Sequence, residues 1–185
     1  MTQTDYRWAL VFGCNLLLIW LVGVANHYLS RFSFLWIDFI SLHLYVGGMF
    51  VTFSALRLDV RNGLIATIAT GLAVDAQSPA AFGTSVLLFG LVHAALIYGR
   101  NRFPREEAIF SVVVALLSNL FLFLVLSFLF VGHSPRPGST WLRLFVDLIA
   151  SQVVIALITP WFMALQEQVF ARAEIHPETG RRVLS

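Results

Sequence analysis

Five side chains capable of acid–base or ligand chemistry lie inside strongly apolar runs: Asp38, Asp75 and Asp147, with His43 and His93. A polar group in such a run is costly to insert into lipid and usually faces protein, so these positions carry most of the information. Thr67, Gly71 and Asp75 are spaced i, i+4, i+8 and share one helix face, and Ala69 and Ala73 add a second small pair. Small side chains let membrane helices approach closely. A carboxylate at Asp75 could carry a proton or hold a ligand. It could equally cap the following helix, or accept hydrogen bonds from the turn Gln77-Ser78-Pro79-Ala80-Ala81-Phe82-Gly83. Its place at the end of the run favours the capping role.

The other polar sets read as ordinary interhelical hydrogen bonding or as the lining of a polar cavity. They are Asp38, Ser41, Tyr45, Gly48 and Thr52 on one heptad-like face, with His43 to the side; Ser111, Ala115 and Ser118/Asn119; and Asp147 and Ser151, one turn apart, with Gln152 beside them. His43 and His93 lack a second ligand at i+4 and a carboxylate at metal spacing, so no metal site is expected. One cysteine, Cys14, sits in the first apolar run, where a small buried hydrophobe is the natural reading. There is no Gly-x-Ser-x-Gly elbow, no His-Glu-x-x-His and no phosphate-cradling glycine loop ending in lysine. The expectation is a protein without catalytic or cofactor chemistry.

The elements that must position these residues follow from composition. The 185 residues are 58% hydrophobic and 12% charged, against about 45–50% and about 25% for soluble domains. Lipid would stand in for the missing polar exterior. The formal charge of +2 is too small to suggest nucleic acid. Six apolar stretches run approximately Trp8–Ala25, Phe34–Ala55, Gly63–Ala76, Phe82–Tyr98, Ala108–Val131 and Trp141–Leu165. The first exceeds the roughly 7–15 apolar residues of a signal peptide core, so a retained helix is expected. The third would reach only about 21 Å, less than a usual span. Arginine placement tests it. With six spans, Arg7, Arg57, Arg61, Arg100, Arg102, Arg105, Arg172, Arg181 and Arg182 share one side, and Arg31, Arg136 and Arg143 the other. Without the third span the partition is five against seven, so the six-span reading obeys the positive-inside rule better. Tyr6, Trp8, Tyr28, Trp36, Tyr98, Trp141 and Trp161 fall near the ends of these stretches, where amphipathic rings settle. The sequence thus predicts an all-α polytopic membrane domain over residues 1–165, both termini cytoplasmic, and a short polar cytoplasmic tail over 166–185.

The stretch from Gly63 to Gly83, with an arginine-bearing loop at Arg57 and Arg61, then Gly71, Asp75, Pro79 and Gly83, resembles the bacterial rod shape-determining protein MreD family. The basic break at Arg100–Arg105, the apolar fifth helix, and a sixth helix ending near Pro160 before a polar tail extend the likeness over nearly the whole chain. The turn lacks the glycine often found after the aspartate, and the second stretch keeps Asp38 but is unusually aromatic. The resemblance implies a six-helix bundle like that of vitamin-capturing transporter subunits. It also implies a non-enzymatic scaffold of the cell-elongation machinery in the bacterial inner membrane. Such a protein would pack against the bitopic MreC and, through it, join MreB to the peptidoglycan synthase RodA and its transpeptidase. Gly71, Asp75, Pro79, Gly83, Asp38, Asp147 and Asn119 are the structural and packing candidates. The alternative is the substrate-binding membrane subunit of an energy-coupling-factor vitamin transporter. In that case Ala9 and Gly13 would present a small-residue pair to a coupling subunit.

Overall fold

A computed structural model describes residues 6–30, 42–78, 81–100, 108–131 and 137–173. Six helices occur in the order α1 Arg7–Leu29, α2 Gly47–Arg57, α3 Val60–Asp75, α4 Thr84–Gly99, α5 Ala108–Val131 and α6 Pro137–Arg172, and no strand is found among the described residues. Three of them, α1, α5 and α6, are long and apolar enough to cross a membrane, and α4 is a shorter apolar helix.

The outer surface carries large apolar side chains, unlike that of a water-soluble bundle. Leu87 is 70% exposed and Leu157 67%, whereas Asn119 and Ser151 are 0% exposed. Apolar groups face outward and hydrogen-bonded polar groups face inward, the arrangement expected where the surrounding medium is apolar. Apolar residues still fill the centre, where Met49, Phe50, Phe89, Leu122 and Ile155 pack together; Val11, Phe53, Leu58, Ala66 and Phe170 form a second cluster.

Glycine sets the closest contacts. A Cβ on Gly48 would run into the α5 backbone at Ala115 O and Asn119 N, so α2 can lie against α5 only with glycine there. A Cβ on Gly71 would stand 2.8 Å from Val86 Cα, which fixes α3 against the first turn of α4.

Side-chain contacts gather several helix ends at one end of the bundle. Arg57 at the end of α2 pairs with Glu167 of α6 at 3.0 Å, and Arg100 after α4 donates to Leu58 O at 3.0 Å. The charge of Arg7, where α1 starts, acts on Asp59 ahead of α3. Asp59 caps α3, accepting from Asn62 N–H at 3.2 Å and from Asn62 Nδ2 at 2.8 Å.

Several boundaries differ from those expected: α1 runs on to Leu29 rather than Ala25, α6 starts at Pro137 rather than Trp141, and four further differences have a structural setting. Within the stretch 34–55, residues 42–46 are not helical and α2 begins only at Gly47. The side chains that take up the backbone of 42–46 come from distant helices and leave no local trace. The third helix starts earlier, at Val60, because Asp59 supplies its cap. The fourth starts later, at Thr84, because Gly83 ahead of it adopts φ +97°. The sixth helix neither ends near Pro160 nor gives way to a tail at Gln166. It continues to Arg172, since Ile155, Thr159, Phe162, Gln166 and Phe170 form one buried stripe. The helix therefore runs seven residues past 165, where the polar tail was expected to begin.

Candidate functional site

The feature that organises the interior is the non-helical segment 42–46 and the first turn of α2, held by side chains from three helices. His43 N–H donates to Asp147 Oδ1 of α6 at 2.9 Å, and Tyr45 N–H donates to Ser151 Oγ, one turn further along α6, at 2.9 Å. Between them, Leu44 faces the other way. Its N–H donates to Asn26 Oδ1 of α1 at 2.7 Å, and its carbonyl accepts from Asn26 Nδ2 at 2.9 Å. Asn26 thus plays the part of a neighbouring strand, and the alternation of partners is the period-two pattern of extended chain. Gly48 N–H then donates to Asn119 Oδ1 of α5 at 3.2 Å. Ser151 sends its own proton to Asp147 O at 2.6 Å, which leaves its oxygen lone pairs free to accept from Tyr45. Arg143 stands 3.9 Å from Asp147 Oδ2. Buried backbone groups need partners, and here side chains supply them.

The second polar centre is Asp75. Its Oδ2 accepts from Gly83 N–H at 2.9 Å and Val86 N–H at 3.3 Å, and its Oδ1 accepts from Ser85 N–H at 2.8 Å. The carboxylate is 3% exposed and binds the amides that α4 cannot satisfy itself. It is a helix cap supplied from the end of the preceding helix. Its lone pairs are directed at backbone rather than at open space, an arrangement suited to holding a turn and not to binding a ligand.

A third set joins α2, α3 and α4. Ser54 Oγ donates to Val51 O at 2.9 Å and lies 2.8 Å from Thr67 Oγ1, which is 3.1 Å from His93 Nδ1. Because the Ser54 proton is committed to Val51, Thr67 must donate to Ser54, and His93 must donate from Nδ1. The chain ends on a carbonyl, so it orients the imidazole without offering a through-going proton path. His93 Nε2 is left as a buried acceptor facing Gly63. Asn15 of α1 ties the same region together, donating to Thr70 Oγ1 at 3.0 Å and Phe50 O at 3.3 Å.

The structure distributes the residues singled out from sequence unequally. Asp147 and Asn119 meet at the α2 approach, while Gly71, Asp75 and Gly83 meet at the α3–α4 turn. Asp38 and Pro79 lie outside the described residues. Tyr45 and Gly48, expected on one helical face, fall instead before and within the first turn of α2. Gln152 donates to Leu116 O at 3.1 Å, joining α6 to α5. Ser111 and Ser118 are buried on α5. Cys14, expected to be buried, is only partly so. Sequence reasoning missed Asn15 and Asn26. Each is an amide in or at the end of the first apolar run, the same signal that marked the aspartates. No group of three or more His, Cys, Asp or Glu suited to a metal occurs among the described residues. Comparison of the chain with protein-family models, curated proteins and solved structures returns no match.

Proposed function

We propose that this chain is a six-span protein of the bacterial inner membrane, with both termini cytoplasmic. In this reading it works without catalysis as an assembly component of the cell-elongation machinery, as its resemblance to the MreD family implies. The observation that carries the reading is Asp75 bound to three backbone amides at the α3–α4 turn. The residues on which the resemblance rests, Gly71, Asp75 and Gly83, form a structural device, as a scaffold's signature residues would. The convergence of helix ends at Arg57, Asp59, Arg100 and Glu167 suits a chain that reverses direction at each helix. The arginines assigned to this end outnumber those at the other nine to three, which supports reading it as the cytoplasmic end. A single-span MreC-like protein is the expected direct partner, with MreB and the RodA–transpeptidase pair reached through it.

Depletion from a rod-shaped host with no second copy tests the reading. Rounding of the cells and co-purification of an MreC-like protein are expected; normal rods after complete loss contradict it. Asp75→Asn should lower the amount of assembled protein, by about 1–2 kcal/mol of lost cap stability. Loss of a turnover activity at unchanged protein level would contradict the scaffold assignment. The vitamin-transporter alternative draws on one observation, the open surface at Gly13, where an added Cβ would meet nothing within 4 Å. A vitamin retained at micromolar or tighter affinity through purification would favour it.

A further inference from the structure

On α1, Leu16, Trp20, Gly23, Val24 and His27 lie on one helical stripe, at i, i+4, i+7, i+8 and i+11. They line a surface groove of about 530 Å³, to which Gln77, in the turn after α3, contributes from across the gap. The groove is graded along its length. Leu16, Trp20 and Val24 make it apolar towards the middle of the helix. Imidazole, amide and phenol groups of His27, Gln77 and Tyr28 gather where α1 nears its end. The rings of His27 and Tyr28 meet edge to face at 5.9 Å. Gly23 leaves the middle open, since a Cβ there would meet nothing within 4 Å.

We propose that this groove binds one acyl chain of a membrane phospholipid, with the phosphate-bearing head hydrogen-bonded by His27, Gln77 and Tyr28 in the leaflet at the C-terminal end of α1. The inference rests on membrane insertion and not on the cell-elongation reading. Length selects the occupant. The eleven residue-to-residue rises of helix from Leu16 to His27 extend about 16 Å. That matches one leaflet of a hydrocarbon core about 30 Å thick, whereas a spanning partner helix needs the whole thickness. Polarity agrees, because a single polar end beyond an apolar trough is the order of groups in a lipid lying along the bilayer normal. Burying the chain gains no hydrophobic energy over bulk lipid, whose tails are equally apolar. Preference must therefore come from the fit at Gly23 and from hydrogen bonds to the head.

The full chain, reconstituted in nanodiscs of phosphatidylethanolamine and phosphatidylglycerol with a trace of phosphatidylglycerol bearing an acyl-chain diazirine, provides the test. After illumination, adducts mapped by mass spectrometry should concentrate on residues 16–28 and Gln77. Gly23→Leu, whose Cβ would meet nothing within 4 Å, should fill the trough and reduce those adducts at least five-fold. Gly13→Leu on the same helix has equally open space but lies outside the groove, and should leave them unchanged. His27→Ala with Gln77→Ala should lower the phospholipid retained through detergent washing. Adducts spread over all exposed helix faces in proportion to exposure, or equal effects of the two leucine variants, would overturn the proposal by showing ordinary annular contact. A polypeptide found occupying the groove would overturn it too. Adducts on no helix at all would contradict membrane insertion itself, an outcome distinct from either.

Discussion

Pro160 and the segment 42–46 are two places where the helical backbone should be in trouble, and they behave in opposite ways. Proline lacks the N–H of the helix ladder and crowds the preceding turn, yet α6 continues through Pro160 for twelve residues, to Arg172. The segment Leu42-His43-Leu44-Tyr45-Val46 contains no proline and reads as strongly apolar, yet it is not helical. The difference lies in what surrounds each. Around Pro160, buried neighbours on both sides, Ile155 and Thr159 before it and Phe162 after it, hold the helix against the bundle. Around 42–46, Asn26, Asp147 and Ser151 offer the hydrogen bonds that a helix would have made internally. Within a packed interior, the supply of polar partners decides whether a backbone stays helical more than the residue's own propensity does.

Variants can break this contrast in graded steps. The largest effect is expected at Gly48→Ala, because the added methyl would meet the α5 backbone, which has no rotamer to shift; a loss of about 2–3 kcal/mol in reversible unfolding from bicelles is predicted. Asn119→Leu removes the acceptor for Gly48 N–H but preserves bulk, and should cost about 1–2 kcal/mol. Pro160→Ala should change stability by less than about 1 kcal/mol, since the helix already runs through the site and its surroundings have adapted. A large gain there would show that proline strains α6 and would weaken the contrast.

The smallest effect concerns pH. Burial pushes the Asp59 carboxyl up, but hydrogen bonds from Asn62 and the charge of Arg7 outweigh it, and its pKa falls below the ordinary 3.8. A carboxylate with a depressed folded-state pKa stabilises the fold above its unfolded value and loses that contribution as pH falls through the folded one. The loss is confined to strongly acidic solution, below about pH 4, and Asp59→Asn should abolish that part of the pH dependence.

Sequence and structure agree where partners are local. The fifth helix was legible to the residue, Ala108–Val131, because an unbroken apolar run flanked by breakers defines both ends. The hydrogen bonds of Asp75 to the following turn were among the readings its position favoured, as its amide partners lie only 8 to 11 residues ahead. The break before α2 was not legible. Its partners are 18 to 106 residues away, and a 22-residue apolar run with Gly47-Gly48 inside it still reads as a helix. The end of α6 failed for a different reason. Gln166 looked like the start of a polar tail, although Phe162, Gln166 and Phe170 keep the spacing of a buried face.

The departure of residues 42–46 from helix, with the amides of His43, Leu44 and Tyr45 bonded to side chains of α1 and α6, is the feature on which the rest turns. Carbon-13 secondary shifts of the isotope-labelled chain in lipid nanodiscs test it most directly. Non-helical values are predicted from Leu42 to Val46, changing to helical values within the first turn after Gly47. Helical shifts running unbroken from Leu42 into Arg57 would contradict the account.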